Sequence, residues 1–243
     1  RTAGGPRRGH SPYGPAQLLA PRPGPTPRPN PSARAGREQR LGANGDIAWE
    51  AAYSGDVPDT PVDRDVVRIA SDLPPGTALD LGCGSGQNSI WLGARGWRVH
   101  CVDVARGAIE RAERAARTAG VAATFERADV TDWRTRERYD LVISTYALPS
   151  RGPGRVHALS VARDAVAPGG TLLIADFDAS LADSGWMAPD HLVSLEELTE
   201  ALPGFELDEA EVRVTEHSHG TEAHDLPVAI IVARHPGPLT EDG

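Results

Sequence analysis

The stretch Ala78-Leu79-Asp80-Leu81-Gly82-Cys83-Gly84-Ser85-Gly86-Gln87-Asn88 has the residue types and spacing of a ligand cradle. Asp80 closes a short apolar run, three glycines then alternate with small residues, and a helix-like pattern follows. Glycine tolerates positive φ and lets a ligand approach the backbone with no Cβ in the way. A helix beginning just beyond adds unpaired N–H groups aimed at that ligand. The spacing is G-x-G-x-G, not the G-x-G-x-x-G that grips a dinucleotide pyrophosphate. Further on, Trp97-Arg98-Val99-His100-Cys101-Val102 ends in Asp103, where an acid can accept both hydroxyls of a ribose.

Base chemistry concentrates elsewhere, in Glu216-His217-Ser218-His219-Gly220-Thr221-Glu222-Ala223-His224-Asp225. Such a run reads as a solvated polar loop, as a contact to a substrate, or as a metal site. Loop geometry does not fix the imidazoles on one face and neither cysteine is nearby in sequence, so no metal is expected. His217 and His219 are the candidates for touching a substrate, with Tyr146 as a third. His100 falls inside a strand and reads as a packed or edge histidine.

The elements that must position these residues alternate. Ile47 to Tyr53 begins the ordered part, and Pro61 opens a helix through Ala70 that Pro74-Pro75-Gly76 ends. Asn88–Ala94 reads as a helix, and Ala105–Ala119 as another with Gly120 as its stop. Ala123–Ala128 reads as a strand leading to Asp129-Val130 and a short helical turn at 131–133. Tyr139–Ser144 reads as a strand running into Thr145-Tyr146-Ala147-Leu148-Pro149. A helix over 155–166, a turn at Ala167-Pro168-Gly169-Gly170 and a strand at 171–175 follow. Ser194-Leu195-Glu196-Glu197 opens a helix with a capping box, and 205–216 and 226–234 read as the last strands. Ligands of open α/β sheets bind beyond the carboxyl ends of the strands, so the 145–149 loop should line the site.

With these motifs in sequence, the chain resembles the class I S-adenosylmethionine (SAM) methyltransferases from about Trp49 to Arg234. The resemblance implies an α/β, doubly wound, Rossmann-like, seven-stranded and mostly parallel sheet with an antiparallel last strand. It implies SAM as cofactor, with the glycine turn on its methionine part, Asp103 on its ribose and Asp129 on its adenine amine. Read alone, Asp129 is a helix cap for the turn at 131–133. The cofactor site it implies takes in Asp80, Gly82, Cys83, Gly84, Gly86, Asn88, Asp103, Val104, Asp129, Val130 and Ser144. Trp49 and Tyr53, four apart, match the Trp-(Asp/Glu)-x-x-Tyr entry of the tellurite-resistance and thiopurine methyltransferase-like branch, where that segment closes over the cofactor. Without the resemblance they read as a capping helix. The loop after 144 is not the Asn-Pro-Pro-Tyr that holds a planar NH₂, which argues against a DNA or glutamine substrate. The expected reaction moves a methyl group to a small-molecule acceptor: a thiol, a chalcogen oxyanion or a natural-product nucleophile. A non-catalytic SAM-binding regulator and a nicotinamide-dependent oxidoreductase are the alternatives, the second opposed by the glycine spacing. Methyl transfer from a sulfonium needs positioning and exclusion of water, and an acid–base residue only when the nucleophile carries a proton.

Composition sets the outer bounds. The 243 residues carry a net charge of −9, yet residues 1–40 hold eight arginines against one glutamate. The acidic remainder argues against nucleic acid as partner, since such binding rests on neutralising phosphates. Residues 1–44, rich in proline, arginine and glycine, read as a disordered tail, 45–236 as the methyltransferase domain and 237–243 as a flexible end. The sequence does not open on methionine, so its first residue is expected not to be the natural start. No apolar run approaches a membrane span, and two cysteines without metal spacing point to a reduced, cytoplasmic location. The oligomeric state is left open.

Overall fold

The computed structural model describes residues 50, 53, 60–219 and 222–237, with the backbone alone at 218, 219, 222 and 223. Trp49, the segment over 1–44 and the His219 side chain lie outside the described residues.

The first helix, α1 (Arg64–Ser71), starts at Asp63, whose carboxylate accepts from the N–H groups of Asp65 at 2.8 Å and Val66 at 3.1 Å. That satisfies donors which a helix start leaves open. Strand β1 (Thr77–Leu81) is buried over its last four residues, as a central parallel strand must be when both faces of its sheet are covered. There follow α2 (Gln87–Gly93), β2 (Arg98–Asp103), α3 (Arg106–Ala119), β3 (Ala123–Arg127) and β4 (Tyr139–Thr145). Then come α4 (Pro153–Asp164), β5 (Val166–Phe177), two 3₁₀ turns, α5 (Leu195–Glu200), β6 (Glu206–His219) and β7 (Glu222–Arg234).

The seven strands lie in the order β3-β2-β1-β4-β5-β7-β6. β1 to β5 pair in parallel, and β7 runs antiparallel to both β5 and β6. Helices cover both faces. Val66 of α1, Leu92 of α2 and Ile109 of α3 pack with Ala78, Cys101 and Ile143 on one side. Leu159 of α4 and Leu198 of α5 pack with Leu79, Val142 and Leu172 on the other. The sheet is therefore doubly wound, mostly parallel, with an antiparallel last strand.

Two local features differ from the sequence reading, and a third bears it out. The Pro168-Gly169-Gly170 turn lies inside β5, because Gly169 N–H donates to the His235 carbonyl at 2.9 Å and His235 N–H donates back to Gly170 at 3.0 Å. At 129–133 the short helical turn forms as read, with Asp132 and Trp133 N–H both donating to the Asp129 carbonyl, at 3.1 and 2.9 Å. The Asp129 carboxylate caps a turn by accepting from Thr131 N–H at 2.8 Å, and buried Trp133 packs against the sheet behind it. The histidine segment is strand, not loop: His217 pairs with His224 and His219 with Glu222. The last β5–β7 pair is Phe177 with Val228, so the hairpin continues past the sheet by residues 222–227, roughly 20 Å at the rise of a strand.

One buried cation fixes the loops at this end. Arg155 of α4 is 0% exposed. It donates to the carbonyls of Pro149 at 2.6 Å, Asp190 at 2.7 Å and Leu192 at 2.8 Å, with Glu197 3.4 Å away.

Candidate functional site

The strand order reverses between β1 and β4, and the site forms beyond their carboxyl ends, where open α/β sheets bind ligands. The glycine turn is pinned there by its own backbone. Gly82 and Cys83 N–H both donate to the Val102 carbonyl, at 2.8 and 3.1 Å. Asp103 ties the turn to β2: one carboxylate oxygen accepts from Gly84 N–H and the other from Ala105 N–H, each at 2.8 Å. Burial pushes the Asp103 carboxyl up, and these two N–H groups pull it back down. Gly84 has φ +54°, and a Cβ there would lie 2.6 Å from the Tyr53 hydroxyl. The Tyr53 hydroxyl thus lies close against Gly84. Burial first, then the Asp103 charge, raises its phenol to about 12. Glu50, three residues before it, accepts from Arg106 N–H at 2.8 Å at the start of α3.

Beneath the turn runs a buried polar chain. The Ser89 hydroxyl donates to Asp80 at 2.6 Å, and the Cys101 thiol lies 3.0 Å from Ser89. Cys83 hydrogen-bonds Cys101, which together with burial pushes its thiol up. Asp80, 1% exposed, is raised by burial to about 7. Asn88 joins the two halves of the site, donating to Thr145 Oγ1 at 3.1 Å and accepting from Asp63 N–H at 2.9 Å. Ser144 is buried in β4. Val104, just after β2, accepts from Arg127 Nε through its carbonyl at 3.1 Å. Asp129 and Val130, half-buried, follow β3.

On the β4 side, Tyr146 follows the strand end with φ +54°, the one positive φ outside glycine among the described residues. A residue held there is strained, and such strain gathers at functional sites. Its ring packs 5.0 Å from Phe177 and edge-on to His217 at 4.7 Å. The hairpin that overhangs the sheet therefore brings two sequence-predicted residues, Tyr146 and His217, into contact. His224, across from His217, packs instead on Trp186 at 4.5 Å. Among the described residues no cluster of three His, Cys, Asp or Glu side chains stands ready for a metal.

Sequence reasoning passed over Phe177, Thr215, Asp63 and Asp176. Thr215 lies on the same strand face as His217, their hydroxyl and Nε2 2.8 Å apart. Alternation continuing along β6 was the available signal, hidden because the strand was read as ending at 216, between Thr215 and His217. Asp176, at the end of β5, accepts from Leu148 N–H at 3.1 Å, and burial raises it to about 6.

Comparison with known proteins agrees with this fold. Residues 78–170 match a family model described as a methyltransferase domain. The trans-aconitate 2-methyltransferase of Streptomyces avermitilis is 36% identical over 115 residues, which span 44% of this chain and 42% of that protein. The chain thus matches less than half the length of that relative. TehB from Haemophilus influenzae superposes with a TM-score of 0.65 at 22% identity, covering 77% of this chain and 67% of TehB. The N-methyltransferase NodS of Bradyrhizobium japonicum, in complex with S-adenosyl-L-homocysteine, gives 0.62 at 21% identity, covering 79% and 99%. Residues 78–170 thus carry the match to a methyltransferase domain, and the strand order and glycine turn give the chain the fold of TehB and NodS.

Proposed function

We propose that the protein transfers a methyl group from SAM to a small-molecule acceptor, within a domain spanning 45–236. The observation that carries this reading is the Asp103 carboxylate, held beside the bare backbone of Gly84 at the same carboxyl end of the sheet as Tyr146. Asp80, Gly82, Cys83, Gly84, Gly86 and Asn88 would hold the methionine end. Asp103 and Val104 would take the ribose, Asp129 and Val130 the adenine, and Ser144 the floor between. Bound there, the sulfonium supplies an electrophilic methyl carbon. The protein's part is to orient the acceptor and exclude water, which the close approach of the Tyr53 hydroxyl to Gly84 supports. His217 reaches the acceptor side rather than SAM. The tellurite-resistance and thiopurine-like branch is favoured by the Tyr53 contact with the cradle and by the likeness to TehB. Among the described residues no helix is long and apolar enough to cross a membrane. The two cysteines are free and buried, which favours a cytoplasmic setting.

The test is Asp103→Ala. A carboxylate that accepts two ribose hydroxyls makes charge-assisted bonds worth about 1.5–3 kcal/mol each. Calorimetry is expected to show SAM affinity reduced by about tenfold or more, with circular dichroism unchanged. Unaltered affinity in a folded variant would remove Asp103 from the cofactor site.

A further inference from the structure

The Tyr146 phenol does not stand alone at the end of β4. Its ring meets His217 edge-on at 4.7 Å, the Thr215 hydroxyl of β6 lies 2.8 Å from His217 Nε2, and Thr215 is near enough to the phenol to pull it down against burial. Phenol, hydroxyl and imidazole therefore gather between the strained residue beside the cradle and a base on the overhanging hairpin. Phe177 closes the other side, 5.0 Å from both the Tyr146 and His217 rings. Gly82 sets the distance to the cradle: a Cβ there would fall 2.2 Å from that of Ala147, so only glycine lets the loop carrying Tyr146 approach so closely.

Charge around the phenol points one way. Burial pushes the phenol up, and so do Asp63 just before α1, Asp176 from β5 and Asp65 within α1. Arg68 and Arg213 offset part of the Asp65 charge, at 2.7 and 2.8 Å. A field that disfavours phenolate at this spot disfavours any other anion brought against the same oxygen.

We propose that Tyr146, Thr215 and His217 form a proton relay for an O–H or N–H nucleophile, so that the acceptor is an alcohol, phenol or amine rather than a thiolate or chalcogen oxyanion. The proposal rests on the methyltransferase reading and narrows its substrate class. In the step, the acceptor heteroatom bonds to the methyl carbon as the carbon–sulfur bond breaks and its electron pair returns to sulfur. The acceptor's proton passes to the Tyr146 oxygen, the phenol's own proton to Thr215, and the Thr215 proton to His217 Nε2. The positive charge lost from sulfur ends on the imidazolium. Tyr146 is the catalytic residue in contact with the acceptor, and Thr215 and His217 act through it.

The test uses the full chain, labelled SAM and four probes: catechol, phenethylamine, thiophenol and tellurite. Catechol or phenethylamine should be methylated, and thiophenol and tellurite at least about 100-fold more slowly. Thr215→Val should lower kcat by about tenfold or more with KM little changed, and Thr215→Ser should restore most of it. His217→Gln should erase the acid limb of the kcat–pH profile. A readout without turnover is the NMR titration of the His217 imidazole in protein free of substrate, which Thr215→Val should displace. Faster reaction of thiophenol or tellurite, silence of both protic probes, or an unmoved His217 titration would each overturn the relay. Calorimetry with SAM alone separates the two levels: binding together with any of those results ends the relay only, and no binding ends the methyltransferase reading.

Discussion

At the scale of single residues, the buried acids carry the sharpest physical consequence. Asp80 holds its proton up to about pH 7 because burial outweighs the Ser89 hydrogen bond, whereas the unfolded chain releases it near 3.8. The folded state is therefore favoured by this group at low pH. The advantage drains away as pH climbs from about 4 to about 7, at roughly 1.4 kcal/mol per unit. Asp176, raised to about 6, acts in the same direction over a narrower window. Asp80→Asn keeps an oxygen for the Ser89 hydroxyl and removes the charge. Its melting temperature should exceed the wild-type value by roughly 5 °C at pH 8 and by far less at pH 4.5. A gain that does not change with pH would show that desolvation of Asp80 is not the cause. In the sequence Asp80 reads as a ligand acid, and nothing local reveals Ser89, one helical turn into α2, as its partner.

At the scale of elements, most of the layout is legible because local signals agree with tertiary ones. Gly120, read as a helix stop, caps α3 in the left-handed region at φ +66°, and Ser194 caps α5 by accepting from Glu197 N–H at 3.1 Å. Where the signals part, the reading fails for a physical reason. The overhanging end of β6 has no sheet beyond it to bury against, so Glu216 to His219 show no apolar alternation and look like loop. The αL conformation of Tyr146 is set by packing on Phe177 and His217, which no neighbour in sequence announces. Arg155 is similar: inside a helix pattern it looks like a solvated charge, yet it is wholly enclosed. Replacing it with alanine strands the carbonyls of Pro149, Asp190 and Leu192 and leaves Glu197 without its buried partner. The cost should be about 3–5 kcal/mol, read as a lower urea midpoint with an unchanged slope. A midpoint within error of wild type would mean water replaces the guanidinium without loss.

At the scale of the whole molecule, composition sets residues 1–44 apart from the rest of the chain. Residues 1–44 contain too few apolar side chains to bury a core. Their removal is expected to leave melting temperature and SAM affinity unchanged, a comparison for scanning calorimetry and titration of the two lengths side by side. A lower melting temperature in the shorter protein would make the segment structural. Within the core, the order of strands in space is not their order of birth. β7 is synthesised after β6 yet lies between β6 and β5, so β6 leaves the ribosome with nothing to pair with. Its valines at 212 and 214, still 44% and 66% exposed in the finished sheet, wait on an open edge that invites mispairing. Only when β7 threads between its neighbours do Thr215 and His217 swing over Tyr146. The cradle is built early, from strands β1 and β2, and the wall opposite it is the last thing the nascent chain completes.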